Sequence, residues 1–252
     1  RAAFKIVRDY KIGDMALNPK AFVIAASNTA ETSSLVTSLP KPLRDRFDFI
    51  EVEPPEIGDW IEWMNEKYGD DWDKRVAAYL LWKPSDFLAN ITDNVQDNGY
   101  EPPATPRGWT YSAVAFKRAA QRGDGELLAS IARGKLGRVG ESYIAFLRNR
   151  VPSFEELVRS PEVMLRFNIE QKYLAAVTVA EAVKRSRANI AAAKPFLEFI
   201  AGNDDREFIM ALFTLLPREL RREVFAAVRE NEKIVECIAR AGRALLSVSE
   251  SA

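Results

Sequence analysis

The chain has 252 residues, 47% hydrophobic and 29% charged, which is the balance of an ordinary globular protein of one or two domains. Its 36 basic and 36 acidic residues cancel, so no bulk charge marks nucleic acid or a membrane surface as an expected partner. The lack of histidine and the single cysteine, Cys237, exclude histidine-based acid–base catalysis, His/Cys zinc sites and intrachain disulfides. The sequence has no apolar run of membrane-spanning length and no visible signal peptide, so we expect a cytoplasmic protein.

The first residues predict a helix and a hairpin. Residues 2–10 place apolar side chains between Lys5 and Arg8 in an amphipathic helical pattern. Residues 11–17 alternate around Gly13 and Asp14, which predicts a tight hairpin.

The next segment has the pattern of a buried strand that ends at a polar side chain. Residues 22–26 form a short apolar run, followed by Ser27 and Asn28. In open α/β sheets, ligands bind at the carboxyl ends of such strands, and an asparagine there can orient a water or a phosphate oxygen. A strand-ending asparagine in a simple turn is the equally weighted alternative.

A compact helical turn with two arginines follows. Prolines near its start favour a helical turn, and Arg44 and Arg46 precede a second predicted strand at residues 49–52. Side chains two residues apart in such a turn face different ways, so the two arginines should not share one task. Taken alone, either arginine is more simply a surface residue paired with Asp45 or Asp48.

Helices dominate the residues after Pro55. A buried stripe at helical spacing predicts a helix from about Glu56, and a second helix is predicted at residues 72–82. Residues 90–106 are rich in turn formers and predict an irregular loop. At its end, Thr105 fits a helix N-cap and Pro106 the first helical position, which places Arg107 in a rigid first turn.

The helix that starts there is predicted to continue to residue 122, followed by a break at residues 123–125 and a further helix at residues 126–133. The glycine-rich segment 134–140 is not a nucleotide-binding loop, because no strand precedes it and no Lys-Ser/Thr pair follows its last glycine.

From Val151 onward, helical periodicity recurs with short turns and predicts a helical bundle. The first of these helices opens with a Ser-x-x-Glu capping box at Ser153. The predicted helices are residues 153–158, 170–184, 190–201, 206–216, 218–229 and 233–246.

Three motifs in fixed order resemble the MoxR-like branch of the AAA+ ATPases. They are VIAASN, which ends at Asn28, the segment LPKPLRDRFDFIEVEPP with Arg44 and Arg46, and ATPRGW with Arg107. The resemblance is good over residues 1–110 and thin beyond about residue 165.

The resemblance implies a mixed, mostly α fold with three parts. A partial AAA+ α/β core with a few strands would occupy residues 1–54, a helical lid residues 55–150 and a C-terminal helical region residues 151–252. The segment 134–140 would then be a glycine turn of the lid that permits close helix approach.

The resemblance also implies site residues, cofactors and partners. Asn28 would be sensor 1, Arg46 the arginine finger with Arg44 a weaker candidate, and Arg107 the nucleotide-contacting sensor 2. The parent protein would be a chaperone-like ATP hydrolase that uses ATP and Mg²⁺, and its partners would be neighbouring subunits of a homo-oligomeric, hexameric ring. No metal ligand is assigned, and the client protein stays open.

One departure from the family is large. The chain has no G-x-x-x-x-G-K-[ST] phosphate loop and no Walker B acidic pair before Asn28, so the residues that grip phosphates and magnesium are missing. We therefore expect the C-terminal portion of a longer ATPase, inactive by itself and without a tightly bound nucleotide. The alternative is a non-catalytic helical scaffold or adaptor that keeps an AAA-like half-domain; a DNA-associated motor is a third hypothesis, which the neutral charge does not favour.

Overall fold

The computed structural model describes residues 2–27, 40–89 and 102–246, which belong to two compact units that divide after Pro54. The described residues up to 54 form the first unit, and residues 55–89 and 102–246 form the second. Within the described residues there are twelve α-helices and one two-stranded sheet. The predicted mostly helical class is confirmed, whereas the division into core, lid and C-terminal region stays a prediction.

The first unit contains the predicted helix and hairpin. Helix α1 spans Ala2–Asp9, and strands β1 (Lys11–Ile12) and β2 (Met15–Ala16) pair antiparallel. Gly13 lies in the turn with a φ of +63°, a conformation that favours glycine. A four-residue helix, α2, follows at Lys41–Arg44, where the sequence predicts a helical turn.

The prediction of two strands at residues 22–26 and 49–52 is wrong. Neither segment belongs to a helix or a strand, and Phe22, Ile24, Ile50 and Val52 are 85–94% exposed instead of buried on two faces. Apolar and β-branched residues favour an extended backbone, but a strand also needs a neighbour at about 4.8 Å with which to pair. The only sheet among the described residues is the β1–β2 hairpin, and neither segment joins it.

The second unit is a helical assembly whose elements follow the predicted pattern closely. Helix α4 begins at Arg75 rather than at Trp72, and the other helix starts lie within two residues of the predicted ones, in the range where helix ends fray. Short 3₁₀ turns lie at Pro84–Asp86 and Pro161–Arg166. The helices are α3 Ile57–Tyr68, α4 Arg75–Trp82, α5 Pro106–Gln121, α6 Gly125–Leu147, α7 Phe154–Arg159, α8 Ile169–Arg185, α9 Ala188–Gly202, α10 Arg206–Leu215, α11 Arg218–Val228 and α12 Glu232–Leu246.

Two capping boxes define where α7 and α8 begin. The Ser153 hydroxyl accepts from the Glu156 N–H while the Glu156 carboxylate accepts from the Ser153 N–H, as the sequence predicts. Asn168 and Gln171 make the same reciprocal pair at α8. Each box satisfies two N-terminal groups that would otherwise lack a partner.

Helix α4 lies at the centre of the second unit. Residues 76–80 are fully buried, and α4 packs against α3, α6, α8 and α10. The ring of Tyr79 lies 5.4–5.7 Å from the rings of Trp82, Trp109, Tyr143 and Phe146. Residues on both sides of position 150 therefore share one hydrophobic core.

The predicted helix end at residue 133 is wrong, because α6 continues beyond it. The helix runs on to Leu147 with one non-helical residue, Gly137, whose φ of 57° and ψ of −133° suit only glycine. The two halves then approach closely, because a Cβ built on Gly140 would lie 2.1 Å from the carbonyl oxygen of Ala132. The predicted role of these glycines in close helix approach is thus seen at Gly140.

Candidate functional site

The predicted site residues fall in different parts of the molecule. Arg44 and Arg46 lie in the first unit, at the end of α2 and just beyond it, and Arg107 lies in the first turn of α5 in the second unit. Asn28, predicted as the water-orienting sensor, lies outside the described residues.

The two arginines of the α2 turn are both exposed. Pro40 occupies the N-cap position of the helix without a side-chain hydrogen bond, and Leu43 is the buried residue of the turn. The Arg46 guanidinium donates to the Pro42 carbonyl oxygen, which folds this side chain back along the helix. Among the described residues, Arg44 forms no ion pair, so the simple alternative of a pairing with Asp45 or Asp48 is not seen for it.

The start of α5 confirms the predicted cap. Thr105 has an extended backbone, with φ of −130° and ψ of 159°, and its hydroxyl accepts from the Gly108 N–H at 3.1 Å. Pro106 occupies the first helical position, where its missing N–H costs nothing. Arg107 is therefore the first residue of the helix that can present a charged side chain.

Three hydrogen bonds, two of them buried, hold this first turn in place. The Trp109 indole N–H donates to the Asp86 carbonyl oxygen at 2.9 Å. The Trp60 indole N–H donates to the Thr110 hydroxyl at 3.0 Å, and that hydroxyl donates to the Pro106 carbonyl oxygen at 2.8 Å. The turn thus joins α3, the 3₁₀ turn after α4 and α5 through polar contacts that leave little freedom for rotation.

An isolated antiparallel β-bridge between Ala89 and Ala104 lies directly before this turn. The Ala89 N–H donates to the Ala104 carbonyl oxygen at 2.9 Å, and the Ala104 N–H donates back to Ala89 at 3.0 Å. Ala104 is also fully buried. The residue just before the Thr105 cap is therefore fixed both by backbone hydrogen bonds and by packing of its side chain.

The Arg107 side chain is exposed and has no hydrogen-bond or ion-pair partner within residues 2–27, 40–89 and 102–246. A free guanidinium fork on a fixed helix N-terminus, where the helix dipole is positive, is suited to a phosphate. In the same described ranges, no three His, Cys, Asp or Glu side chains lie close enough together to hold a metal ion.

Sequence reasoning missed the buried polar groups that surround α4. The Asp86 carboxylate accepts from the Tyr79 hydroxyl and pairs with Lys83 at 3.0 Å. Burial, followed by this hydrogen bond, raises the pKa of Tyr79 well above its usual range. The signal was the proline-led PSD turn directly after a helix rich in aromatic residues, since a buried carboxylate needs such donors.

A second buried carboxylate, Asp73, forms a forked ion pair with Arg75, with Nη2 at 2.6 Å. This hydrogen bond raises the pKa of Arg75, so the guanidinium stays charged. Asp73 also anchors its own segment, because its N–H donates to the Ala113 carbonyl oxygen of α5 at 3.0 Å.

Lys74 is the third buried charge. Its ammonium group donates to the Asn65 side-chain oxygen at 2.6 Å and the Gly69 carbonyl oxygen at 2.7 Å, and it lies 3.9 Å from the ring centre of Trp72. Burial lowers the pKa of Lys74 to about 7. The lysine ties the end of α3 to the start of α4 and is a structural element of the second unit.

Comparison of the sequence with protein families and curated proteins, and of the fold with solved structures, found no match. No helix within the described ranges combines the length and the apolarity that crossing a lipid bilayer requires.

Proposed function

We propose that the chain is the sensor and lid portion of a MoxR-like AAA+ ATPase that works as a hexameric ring and remodels or matures protein complexes. The proposal rests on the three motifs at Asn28, Arg46 and Arg107 and on one structural observation. That observation is the exposed, unpaired Arg107 guanidinium on a first turn fixed by the Thr105 cap and the buried Trp109 and Trp60 contacts.

A fixed turn matters because it holds the Arg107 backbone in place, so that less conformational freedom is lost when the guanidinium binds a phosphate. If a change of nucleotide displaced the phosphate bound by Arg107, α5 would move with it. The elements that contact Trp109 and Thr110 would move together with α5. Arg107 would thus couple the nucleotide to the helical lid.

In this proposal, bound ATP with Mg²⁺ supplies the phosphoryl group that water attacks. Asn28 orients the attacking water, and Arg46 stabilises the developing charge at the site of a neighbouring subunit. Arg44 is the alternative finger. The residues that hold the phosphates and magnesium are not in this sequence, so we expect negligible ATPase activity from the 252-residue chain alone.

The test uses the complete natural protein and its ATPase rate. We expect Arg46→Ala to lower the rate by about a thousandfold or more, the usual contribution of an arginine finger, while Arg44→Ala changes it little. Arg107→Ala is expected to lower the rate and raise the ATP concentration needed for half the maximal rate. Arg148→Ala, at the exposed C-cap of α6, is the matched control and should be neutral.

A mixing experiment tests whether Arg46 acts on a neighbour. Rings assembled from equal amounts of Arg46→Ala and Asn28→Ala subunits contain some junctions with both residues intact, about a quarter of them if subunits mix randomly. Recovery of activity toward that fraction supports action between subunits. No recovery from two folded, co-assembled variants refutes it.

The scaffold alternative is favoured by one observation, the single hydrophobic core that the helices of the second unit share from α3 to α12. The mass of the natural protein separates the two functions. A mass near 28.4 kDa would leave no room for a phosphate loop and would favour the scaffold. A mass larger by half of an ATPase core would favour the ATPase.

A further inference from the structure

An open groove of about 480 Å³ runs between α5 and the first half of α6. We call it the α5–α6 groove. Its lining includes Tyr111 and Arg118 of α5, Arg122 at the C-cap of α5, Leu127 and Ile131 of α6, and Tyr68 at the end of α3. It lies entirely within the second unit and contains none of the residues assigned to nucleotide chemistry.

The α5 side of the groove is one continuous helix face. Tyr111, Ala115, Arg118 and Arg122 are spaced by four, three and four residues, which places them within about 60° around the helix axis. From Tyr111 to Arg122 this face is about 16 Å long at 1.5 Å per residue. The groove therefore matches about three turns of a helix lying along it.

Two large side chains of the groove, Tyr111 and Leu127, are not part of the hydrophobic core of the unit. The face of α5 that is turned inward packs into this core, with Ala113 and Phe116 fully buried. Tyr111 remains 61% exposed and Leu127 37% exposed. Large side chains that stay in water beside a complete core mark a surface that another molecule can cover.

The exposed aromatic surface continues beyond the groove. Tyr68 makes an edge contact with Trp63 at 5.8 Å between ring centres, and Trp63 is 41% exposed. The Lys67 ammonium lies 5.1 Å from the centre of the Trp63 ring. Tyrosine, tryptophan and arginine together are the residues that dominate binding energy in protein interfaces.

The charged side chains that line the groove are all positive. No carboxylate is among its lining residues, and two guanidinium groups, Arg118 and Arg122, lie one turn apart on its α5 wall. Neither has an ion-pair partner within the part of the chain that the structure describes. A partner that supplies carboxylates beside an apolar stripe would complement both properties of the surface.

We propose that the α5–α6 groove binds an acidic amphipathic helix of a protein partner. Apolar side chains of that helix, spaced by three or four residues, pack onto Tyr111, Leu127 and Ile131. Its carboxylates pair with Arg118 and Arg122, where the planar fork permits two hydrogen bonds at once. Lying along two antiparallel helices, the bound helix completes a three-helix packing of the kind found in bundles.

The aliphatic wall formed by Leu127 and Ile131 favours a protein helix over nucleic acid. Bases bind by stacking on aromatic or guanidinium planes and by hydrogen bonds to their edges, and these two side chains offer neither. A helix uses them directly, because its apolar face needs an apolar surface.

The experiment selects ligands without assuming a sequence. A phage library of peptides constrained to be helical, with all residue types at each position, is selected against the folded chain. Peptides are then synthesised with a fluorescent label, and their dissociation constants are measured by anisotropy. The same assay is run with a 20-nucleotide oligo-dT and with vesicles containing 30% phosphatidylserine.

The expected ligands carry apolar residues spaced by three or four positions together with Asp or Glu. Their affinity should fall by about tenfold or more with Tyr111→Ser and with the pair Arg118→Glu/Arg122→Glu. The pair Lys135→Glu/Arg148→Glu makes the same change in net charge on exposed positions outside the groove lining and should change affinity little. Replacing the peptide carboxylates by lysine should restore binding to the Arg118→Glu/Arg122→Glu variant.

Circular dichroism and thermal unfolding establish that every variant is folded. Selection of no helix-forming acidic sequence, or binding that the groove variants leave unchanged, overturns the proposal. Binding of oligo-dT or vesicles that depends on Arg118 and Arg122, at equal or higher affinity, also overturns it, in favour of a nucleic-acid or membrane surface. Because the assay contains no nucleotide, its result is separate from the success or failure of the proposed ATPase function.

Discussion

Substitution of Gly140 by alanine tests the close approach of the two halves of α6. The new Cβ would lie 2.1 Å from the carbonyl oxygen and 2.5 Å from the carbonyl carbon of Ala132, whereas ordinary contacts begin near 3.4 Å. The obstacle is backbone, so no side-chain rotation can relieve it. The helix halves must separate, and Val139 and Tyr143, both buried, lose part of their packing.

The expected cost is about 3 kcal/mol, the upper part of the range for overpacked cores. For a unit of this size it corresponds to a melting temperature lower by about 6–12 °C. Urea denaturation followed by tryptophan fluorescence is the suitable assay, because all five tryptophans lie in the second unit. The fluorescence change therefore reports the unfolding of the unit that contains α6.

The same helix supplies two controls. Gly134→Ala places a Cβ with no atom within 4 Å, so the gain in helix propensity should stabilise the unit by about 0.5–1 kcal/mol. Gly137→Ala meets the φ of +57° and should destabilise by about 1–2 kcal/mol. If Gly140→Ala unfolds within 0.5 kcal/mol of the natural chain, at an unchanged denaturant slope, the argument from close approach is refuted.

Three polar contacts of the second unit give further expectations. Thr105→Val removes the N-cap acceptor of α5 and should cost about 1 kcal/mol in urea denaturation; an unchanged midpoint would show that the cap is dispensable. Tyr79→Phe leaves the Asp86 carboxylate without its hydroxyl donor. The free energy of unfolding, measured by the same assay, should fall by about 1–3 kcal/mol. A gain in stability would contradict the role of this buried hydrogen bond. Burial lowers the pKa of folded Lys74 to about 7 from 10.5, so the unfolded chain binds more protons between these values and stability should rise as the pH increases above 7. That slope should be weaker in Lys74→Met, and an identical pH profile for both proteins would refute the assignment.

Sequence patterns were sufficient for the helices because helix signals are local. The Ser153 capping box and the Thr105–Pro106 start lie within four residues of the groups that they satisfy, and the structure has both. The same locality explains why the sequence alone places Arg107 at a helix start.

The failures involve partners far apart in the sequence. The segments at residues 22–26 and 49–52 have strand-like composition, but a strand is defined by a neighbour that composition does not specify. The anchoring of the Arg107 turn was missed for a similar reason, since the Trp109–Asp86 and Trp60–Thr110 hydrogen bonds join residues 23 and 50 positions apart. Asn28 keeps its predicted role as a proposal, because it lies outside the described residues.

The central position of α4 has a consequence for the synthesis of this protein. The buried surface of α4 is covered to a large extent by α8, which begins about 90 residues later in the chain. At a translation rate of about 5–20 residues per second, the ribosome needs on the order of 5 to 20 s to supply that cover. During this interval the apolar stretch VAAYLL is available to chaperones and to other nascent chains, so slower translation between α4 and α8 should increase aggregation of the newly made protein.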